Sequence, residues 1–314
     1  SIDDIERSLT NDRLEKQAEA LESQGSWAQA VEVQRRRLAL DPESVWITYR
    51  LAKDLVSAGQ RPEADALMRN MANRKPGDAE RVYAYGLYLS GNNQDDRALA
   101  QINALPRGQW TDNIRELEGR LQSDKVMREA NQLRDSGQEA QAIALIKQQP
   151  ESIRYDLALA DWAQQRGDSA EAIAQYHRVL SQQADNGDAR LGLAEVYLAE
   201  GDKNAARAQV AQLKDADTES INMQRRVALA RAGFDDTAGA QQIFDRIVPQ
   251  AKSQPPSMES ALVLRDAARF QTQSEQPQQA LESYKDAMVA AGVTRVRPQD
   301  NDTFTRLTRN DSQD

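Results

Sequence analysis

The sequence of 314 residues contains no cysteine and only one histidine, His177. Without cysteine, a disulfide framework and thiolate chemistry are excluded, whichever compartment the chain occupies. With one imidazole, histidine-based metal clusters and zinc signatures are excluded, and a catalytic triad would require His177 itself. His177 follows Tyr176 with no aspartate or serine context that suggests a site. We therefore expect His177 to be an ordinary surface or interface residue.

Motifs that bind phosphate or carry a nucleophile are also missing, since no G-x-G-x-x-G, G-x-x-x-x-G-K-[ST] or G-x-S-x-G string occurs. Acidic pairs such as Asp95 with Asp96 are present, and a glycosidase needs two carboxylates that face a sugar. In a chain with 49 Asp and Glu residues, however, such pairs are usually solvated turns or helix caps. The sequence therefore predicts a protein that is not an enzyme and needs neither a cofactor nor a metal.

Excess positive charge and long apolar runs are lacking as well. The 40 basic residues are outnumbered by 49 acidic ones, for a net charge of −9, which argues against non-specific nucleic-acid binding. No apolar run approaches the roughly 20 residues that span a bilayer, and the opening "SIDDIERSLT" lacks the regions of a signal peptide. We expect a soluble chain, or a soluble part of a longer one, that does not itself insert into a membrane.

A small residue recurs along the chain at intervals close to 34 residues, which is the period of tetratricopeptide repeats. The successive steps are 34, 34, 44, 30, 34, 34 and 40 residues. We assign this residue to the second helix of each repeat, where the two helices cross closely and a larger side chain would cost roughly 1–3 kcal/mol. The alanines in register are Ala30, Ala64, Ala98, Ala142, Ala172, Ala206, Ala240 and Ala280.

Glycine lies five residues before five of these alanines, where the turn between the two helices is expected. Glycine suits this place because a helix commonly ends on a residue with positive φ. These glycines are Gly25, Gly59, Gly137, Gly167 and Gly201. Together the two patterns predict an all-α tetratricopeptide-repeat solenoid, a right-handed superhelix of eight antiparallel helix pairs.

Two departures from the period predict the organisation of the chain. The step from Ala98 to Ala142 is ten residues too long (44 against 34), so we expect an extra helix or hinge near 111–122. Pro255 and Pro256 predict a longer loop over 249–260. The polar stretch 293–314 predicts a linker or disordered tail. Repeats 1–3 then occupy 1–110, repeats 4–7 occupy 123–248 and repeat 8 occupies 261–292.

The first helices of such repeats line a concave groove, and helical spacing directs positions 2, 5, 9 and 12 of each repeat towards it. In the first repeat this predicts an acidic strip of Asp12, Glu15, Glu19 and Glu22. In the next two repeats it predicts aromatic rings beside charged groups, namely Trp46, Tyr49, Lys53, Glu80 and Tyr83. Such rings would stack on sugars or anchor a peptide, but packing of Trp46 and Tyr49 between neighbouring repeats is an open alternative.

Arginines take the equivalent groove positions near the other end of the chain. They are Arg225, Arg265 and Arg269. These residues would make that end of the groove basic and give the groove a charge gradient. A solvated helix face would have the same pattern, so this alternative also stays open.

Several strings are more specific than the repeat pattern demands. They are "SVWITYRLA" at 44–52, "VYAYGLYLSG" at 82–91, "LADWAQQRGD" at 159–168, "AKSQPPSMESALVLRDAARF" at 251–270 and "RPQDNDTFTRLTRND" at 297–311. Over essentially its whole length the chain resembles the bacterial cellulose synthase operon protein C family. The resemblance implies an amino-terminal periplasmic repeat region of a larger protein.

The family resemblance also implies what this chain works with. Its members carry an outer-membrane β-barrel in the same longer chain, through which the polysaccharide leaves the cell. The expected partners are that barrel, components of the cellulose synthase complex and, as an open question, the β-1,4-glucan itself. The expected role is a scaffold that connects the synthase side with the export pore, and nucleic acid is not an expected partner.

Two other classes of function compete with this interpretation. A peptide-binding co-chaperone or assembly adaptor would need a basic, asparagine-bearing clamp in neighbouring repeats, whereas Asn131 and Asn222 are far apart in the sequence. A glycan hydrolase on a helical scaffold would need two convergent carboxylates in an apolar cleft, and no spacing indicates such a pair.

Overall fold

The computed structural model describes residues 1–214, 220–274 and 277–292, and every regular element within these ranges is helical. The all-α class predicted from the sequence is therefore confirmed. The predicted tail at 293–314 lies outside the described residues. The chain divides into two compact units, Ser1–Ile146 and Lys147–Asp314.

The first unit consists of helix–turn–helix pairs. Its helices are α1 (Ile2–Ser23), α2 (Trp27–Leu40), α3 (Val45–Ser57), α4 (Arg61–Arg74), α5 (Ala79–Gly91), α6 (Asp95–Asn103), α7 (Asp112–Asp135) and α8 (Glu139–Lys147), with a short 3₁₀ helix at Arg107–Gln109. The two helices of a repeat pack together, α1 on α2, α3 on α4 and α5 on α6. The first helices of successive repeats also touch, α3 with α5 and α5 with α7, so they form one layer of this unit.

The second unit has the same construction. Its helices are α9 (Ile153–Gln165), α10 (Ser169–Gln182), α11 (Gly187–Ala199), α12 (Lys203–Val210), α13 (Ile221–Gly233), α14 (Thr237–Ser253), α15 (Met258–Gln273) and α16 (Pro277–Ala290). Each odd-numbered helix packs on the even-numbered helix that follows it and on the next odd-numbered helix, from α9 to α15. The described ranges contain sixteen α-helices, the number that eight two-helix repeats require.

The alanines that define the register are buried, as a close helix crossing requires. All eight alanines that define the register have a solvent exposure of 0%. A longer side chain at a completely buried position of this kind would have to displace its neighbours.

The predicted turns are confirmed by backbone conformation. The five turn glycines have φ between 72° and 82°, the left-handed region in which only glycine escapes a steric penalty. Two repeats without a glycine use Asn93 (φ 60°) and Asp235 (φ 71°) five residues before Ala98 and Ala240. The turn bonds match too, since the amide of Ser26 donates to the carbonyl of Leu21 at 2.9 Å and the amide of Gln94 to Leu89 at 2.9 Å.

The structure differs from the predicted organisation at the first interruption. Residues 112–122 are not a separate helix, because α7 continues without a break from Asp112 to Asp135. Thr111 caps its start by accepting a hydrogen bond from the amide of Ile114 at 3.3 Å. The ten extra residues therefore lengthen the first helix of repeat 4, whose buried side chains Leu117, Leu121 and Val126 continue across the predicted boundary.

The second interruption is shorter than predicted. Helix α14 runs through Pro249 to Ser253, and α15 begins at Met258, so only residues 254–257 form the loop and not 249–260. Ile247 and Ala251 on either side of Pro249 are 0% and 2% exposed, so burial of this face offsets the backbone hydrogen bond that proline cannot donate. Pro255 and Pro256 follow the end of the helix, as the sequence predicts.

Neighbouring repeats approach each other very closely at Gly192 in α11, where the ring of Tyr176 in α10 lies against the backbone. A methyl group added there would lie 2.3 Å from the ring carbon Cζ of Tyr176, which is fully buried. Tyr176 is held in place because its hydroxyl donates to Asp161 Oδ1 at 2.6 Å and lies 2.8 Å from Gln164 Oε1. Burial and the Asp161 carboxylate raise the pKa of Tyr176.

Gly192→Ala should therefore destabilise the protein, by about 1–3 kcal/mol or more, since Tyr176 cannot move without losing its hydrogen bonds. The matched control is Gly119→Ala in α7, where a methyl group meets no atom within 4 Å. This control should stabilise its helix by roughly 0.5–1 kcal/mol. Urea unfolding of both variants measures the difference, and equal stability of the two would contradict the close packing.

Candidate binding surface of the first repeats

The aromatic residues predicted for the groove form one cluster in the first unit. The ring of Trp46 lies 5.6 Å from that of Tyr49 and 5.9 Å from that of Tyr83, both in edge-to-face orientation. Trp46 and Tyr49 share a face of α3 because they are three residues apart. Tyr83 on α5 is 34 residues after Tyr49, so the repeat itself brings it to the neighbouring place.

Charged groups complete this cluster. The indole Nε1 of Trp46 donates a hydrogen bond of 2.8 Å to Glu80 Oε1, which fixes the orientation of the ring. The ammonium group of Lys53 lies 5.5 Å from the centre of the Tyr49 ring. Burial, and secondarily the neighbouring Tyr83, raise the pKa of Tyr49.

The two tyrosines of the cluster are partly buried, whereas the tryptophan is exposed at the surface. Tyr49 and Tyr83 pack against the hydrophobic core of the first unit, as the packing alternative predicts. Trp46 remains 38% exposed. The structure thus brings together Trp46, Tyr49, Lys53 and Tyr83, and the indole is the most exposed of the three rings.

Most of the predicted acidic strip is organised around one arginine. The guanidinium group of Arg50 lies 3.3 Å from Glu15, 3.9 Å from Glu19 and 2.6 Å from Glu22, and so joins α3 to α1. Asp12, the fourth member of the strip, is exposed. Arg50 was not among the groove residues predicted from the sequence, although it lies four residues after Trp46 and hence on the same face of α3.

Beneath this network lies a carboxyl group that is held away from water. Asp54 of α3 is 2% exposed. Burial, followed by the neighbouring carboxyl of Glu22, raises the pKa of Asp54 to about 7. Two carboxylates in one buried place repel each other, so the protonated form of Asp54 is favoured.

A cleft of about 550 Å³ opens beside Trp46, between α1, the end of α2 and the start of α3. Its inner wall contains Arg37, whose side chain is only 8% exposed. Asp12, Glu15, Trp46 and Arg50 also line it. The cleft therefore joins the acidic strip to the aromatic cluster within the first unit.

Two of the three arginines predicted for the basic end, Arg225 and Arg265, contact one carboxylate in the second unit. Asp266, which is 2% exposed at its side chain, lies 2.7 Å from Arg225 and 3.4 Å from Arg265. Arg269 is one turn beyond Arg265 on α15 and makes no ion pair within the described parts of the chain. Asp266 is the carboxylate that Arg225 and Arg265 both contact, and Arg269 adds a third guanidinium group on the same helix as Arg265.

The structure also bears on His177, on metal-binding side chains and on membrane-spanning helices. His177 is exposed, and its Nε2 lies 3.4 Å from the hydroxyl of Tyr197. Within the described ranges, no three His, Cys, Asp or Glu side chains are grouped so that they would hold a metal ion. In the same residues, no helix has the length and the apolar character needed to cross a bilayer.

The raised pKa of Asp54 predicts how stability depends on pH. Because this pKa of about 7 is above the ordinary value of about 3.9, the stabilising effect of the proton is complete below about pH 4 and is lost as pH rises through about 7. Asparagine has no such proton to lose. Asp54→Asn should therefore raise the Tm more at about pH 8 than at about pH 5.

Thermal melting followed by circular dichroism at both pH values measures this effect. Ser57→Ala, a change at an exposed residue of the same helix, should leave the pH dependence of Tm as it is in the parent chain. An equal gain for Asp54→Asn at both pH values would mean that the substitution acts through packing and not through titration.

Comparisons with known proteins agree with this architecture. A tetratricopeptide-repeat family model matches residues 163–230. Among solved structures, the APC/C hetero-tetramer Cut9–Hcn1 superposes with a TM-score of 0.50 at 13% sequence identity, over 94% of this chain and 55% of that one. At this identity the likeness concerns the fold alone.

The sequence relatives are much closer. Cellulose synthase operon protein C of Escherichia coli strain K12 is 66% identical over all 314 residues, and the protein of the same name from Salmonella typhimurium is 64% identical over the same length. The chain spans 27% of the length of these relatives. The resemblance predicted from the sequence strings is confirmed: the chain is built of tetratricopeptide repeats and is related along its whole length to cellulose synthase operon protein C.

Proposed function

We propose that this chain is a periplasmic scaffold of the bacterial cellulose synthesis and export complex. It would connect the synthase side with the outer-membrane export pore and catalyse no reaction itself. The observation that carries the proposal is the 66% identity over the whole chain to a protein named for the cellulose synthase operon. Full-length proteins of this kind would be anchored in the outer membrane.

The form of the two units supports a role in binding. In each unit the first helices lie side by side in one layer, so that their outward side chains form an extended surface. Repeat proteins use such surfaces to hold extended partners, since each repeat contributes a few contacts. Here the surface carries an aromatic cluster with an acidic strip in the first unit, and an arginine cluster in the second.

The proposed partners are components of the cellulose synthase complex, the barrel of the same longer chain, and the β-1,4-glucan. The acidic strip of the first unit and the arginine cluster of the second suit partners of opposite charge, because complementary charges steer association and suppress wrong pairings. Arg225, Arg265 and Arg269 would face an acidic protein surface. The strip of Asp12, Glu15, Glu19 and Glu22, with Arg50 as its counter-charge, would face a mixed or basic one.

Removal of the segment from the full-length protein tests the scaffold role. We expect a strain whose protein lacks residues 1–292 to lose nearly all extracellular cellulose, because the synthase and the pore are no longer joined. A photo-crosslinking side chain at exposed Lys53 should capture a cellulose synthase component in the intact cell envelope. The same side chain at exposed Asn70 on α4 is the matched control for the opposite helix layer.

Two results would contradict the proposal. Normal secretion by the strain without the segment would mean that no connection through these repeats is needed. Crosslinks confined to proteins outside cellulose synthesis would point to a general adaptor. The level of full-length protein in the outer membrane must be measured in both strains, so that loss of the barrel is not mistaken for loss of the scaffold.

A further inference from the structure

The cleft beside Trp46 has the size and the construction of a ligand site. Its volume of about 550 Å³ lies within the range of roughly 300–1,000 Å³ that small-molecule sites occupy. Thirteen residues line it, among them Arg7, Asn11, Asp12, Arg37, Asp41 and Trp46. All belong to the first two repeats of the first unit.

A buried arginine gives the cleft a fixed polar floor. Arg37 donates from Nε to Asn11 Oδ1 at 2.7 Å and from Nη1 to Gln34 Oε1 at 2.9 Å, and its Nη2 lies 3.8 Å from Glu15. The side chain is more than nine-tenths buried, so these bonds hold it in one orientation. Because Asn11 uses its oxygen towards Arg37, its amide nitrogen is left as a hydrogen-bond donor.

The rim of the cleft offers hydrogen-bonding groups of both kinds. Arg7 supplies donors, while Asp12 and Asp41 supply acceptors, and all three side chains are exposed. None of them forms an ion pair or a side-chain hydrogen bond within the described ranges of the chain. A sugar hydroxyl both donates and accepts, so it matches such a mixed rim, whereas a purely anionic or cationic ligand would meet like charges.

Trp46 forms the aromatic wall of the cleft. Its hydrogen bond to Glu80 and its edge-to-face contacts with Tyr49 and Tyr83 hold the indole in place before any ligand arrives. Preorganisation of this kind saves the entropy cost of ordering a large side chain on binding. A ring fixed beside polar groups suits the apolar face of a pyranose, which carries C–H groups.

The lining also disfavours the main competing ligand. Peptide grooves anchor apolar side chains in apolar pockets. Here only Leu40, Trp46 and Ile47 of the thirteen lining residues are apolar. Three arginines and four carboxylates nearly balance, so the cleft has little net charge to attract an ionic peptide. A neutral, polyhydroxylated chain satisfies these features better.

We propose that the cleft between α1, α2 and α3 is an oligosaccharide subsite, with Trp46 as its stacking platform and Arg7, Asn11, Asp12 and Arg37 as its hydrogen-bonding groups. The ligand it would take is a short run of β-1,4-linked glucosyl units. The choice of glucan rests on the proposed function, whereas the saccharide chemistry rests on the cleft itself.

Calorimetric titration of the purified chain with cellohexaose tests this subsite, with maltohexaose as the ligand control. We expect binding in the high micromolar to millimolar range. Trp46→Ala should weaken it at least tenfold, about 1.4 kcal/mol. Trp46→Phe should cause a smaller loss, and Arg7→Ala a loss of several-fold. The matched control is Trp27→Phe, since Trp27 does not line the cleft and should keep the parent affinity.

Circular dichroism must first establish that each variant is folded. If Trp46→Ala is not, the pair Trp46→Phe and Arg7→Ala decides the question, since Arg7 is exposed and holds no other residue in place. Absence of cellohexaose binding at about 10 mM would overturn the inference, and so would equal binding of maltohexaose. Binding that survives both Trp46→Phe and Arg7→Ala would place the site elsewhere and also overturn it.

The failures of the two proposals can be distinguished. If cellohexaose does not bind but the crosslinks to synthase components form, the scaffold stands and the subsite is wrong. If Trp46→Ala removes those crosslinks without any saccharide binding in the parent, the cleft docks a protein. If cellohexaose binds as expected while deletion leaves secretion intact, the subsite stands and the scaffold role is wrong.

Discussion

The close crossing of the two helices in each repeat is the constraint on which the rest of the structure depends. It needs a small side chain at one place per repeat, and all eight alanines there are completely buried. Because this contact fixes the geometry of each pair, residues one period apart come to equivalent places on neighbouring helices. Trp46 and Glu80 are 34 residues apart and share a hydrogen bond. Tyr49 and Tyr83 are also 34 residues apart, and both rings contact that of Trp46. The candidate surface is thus a consequence of core packing.

Ion pairs between neighbouring repeats act on top of this packing. Arg50 reaches back to three glutamates of α1, the buried Arg81 reaches Glu43, and Arg226 of α13 holds Glu195 of α11. Each pair links groups that are roughly one repeat apart in sequence, so the contacts remain local, as expected of a linear array. Their effect lies in holding long side chains in one orientation, which a binding surface requires.

The period of the sequence predicts the features that recur in every repeat, but it does not predict those that occur in one repeat only. The alanines, the turns and the Trp46 cluster follow from spacing, because buried contacts recur with the period. Helix α7 was missed because a count of repeats assigns its first half to an insertion, although nothing between Gln122 and Asn131 breaks a helix. Pro249 suggests a helix end, yet burial on both sides overrides it. The ion pairs of Arg50 and the burial of Asp54 were not predicted, because spacing within one helix does not show which charged groups of another helix will face a residue.

The candidate site arises where the first repeat departs from the next two. Helix α1 has 22 residues, whereas α3 and α5 have 13 each, and the extra turns of α1 carry Asp4, Arg7 and Ser8. A first helix of ordinary length would remove this wall of the cleft and leave Trp46 on an open surface. The aromatic platform is not repeated either, because Glu80 stands where a second tryptophan would continue it. Buried positions thus carry the same residue types in successive repeats, while exposed positions do not. The proposed saccharide contact is therefore confined to one end of the first unit.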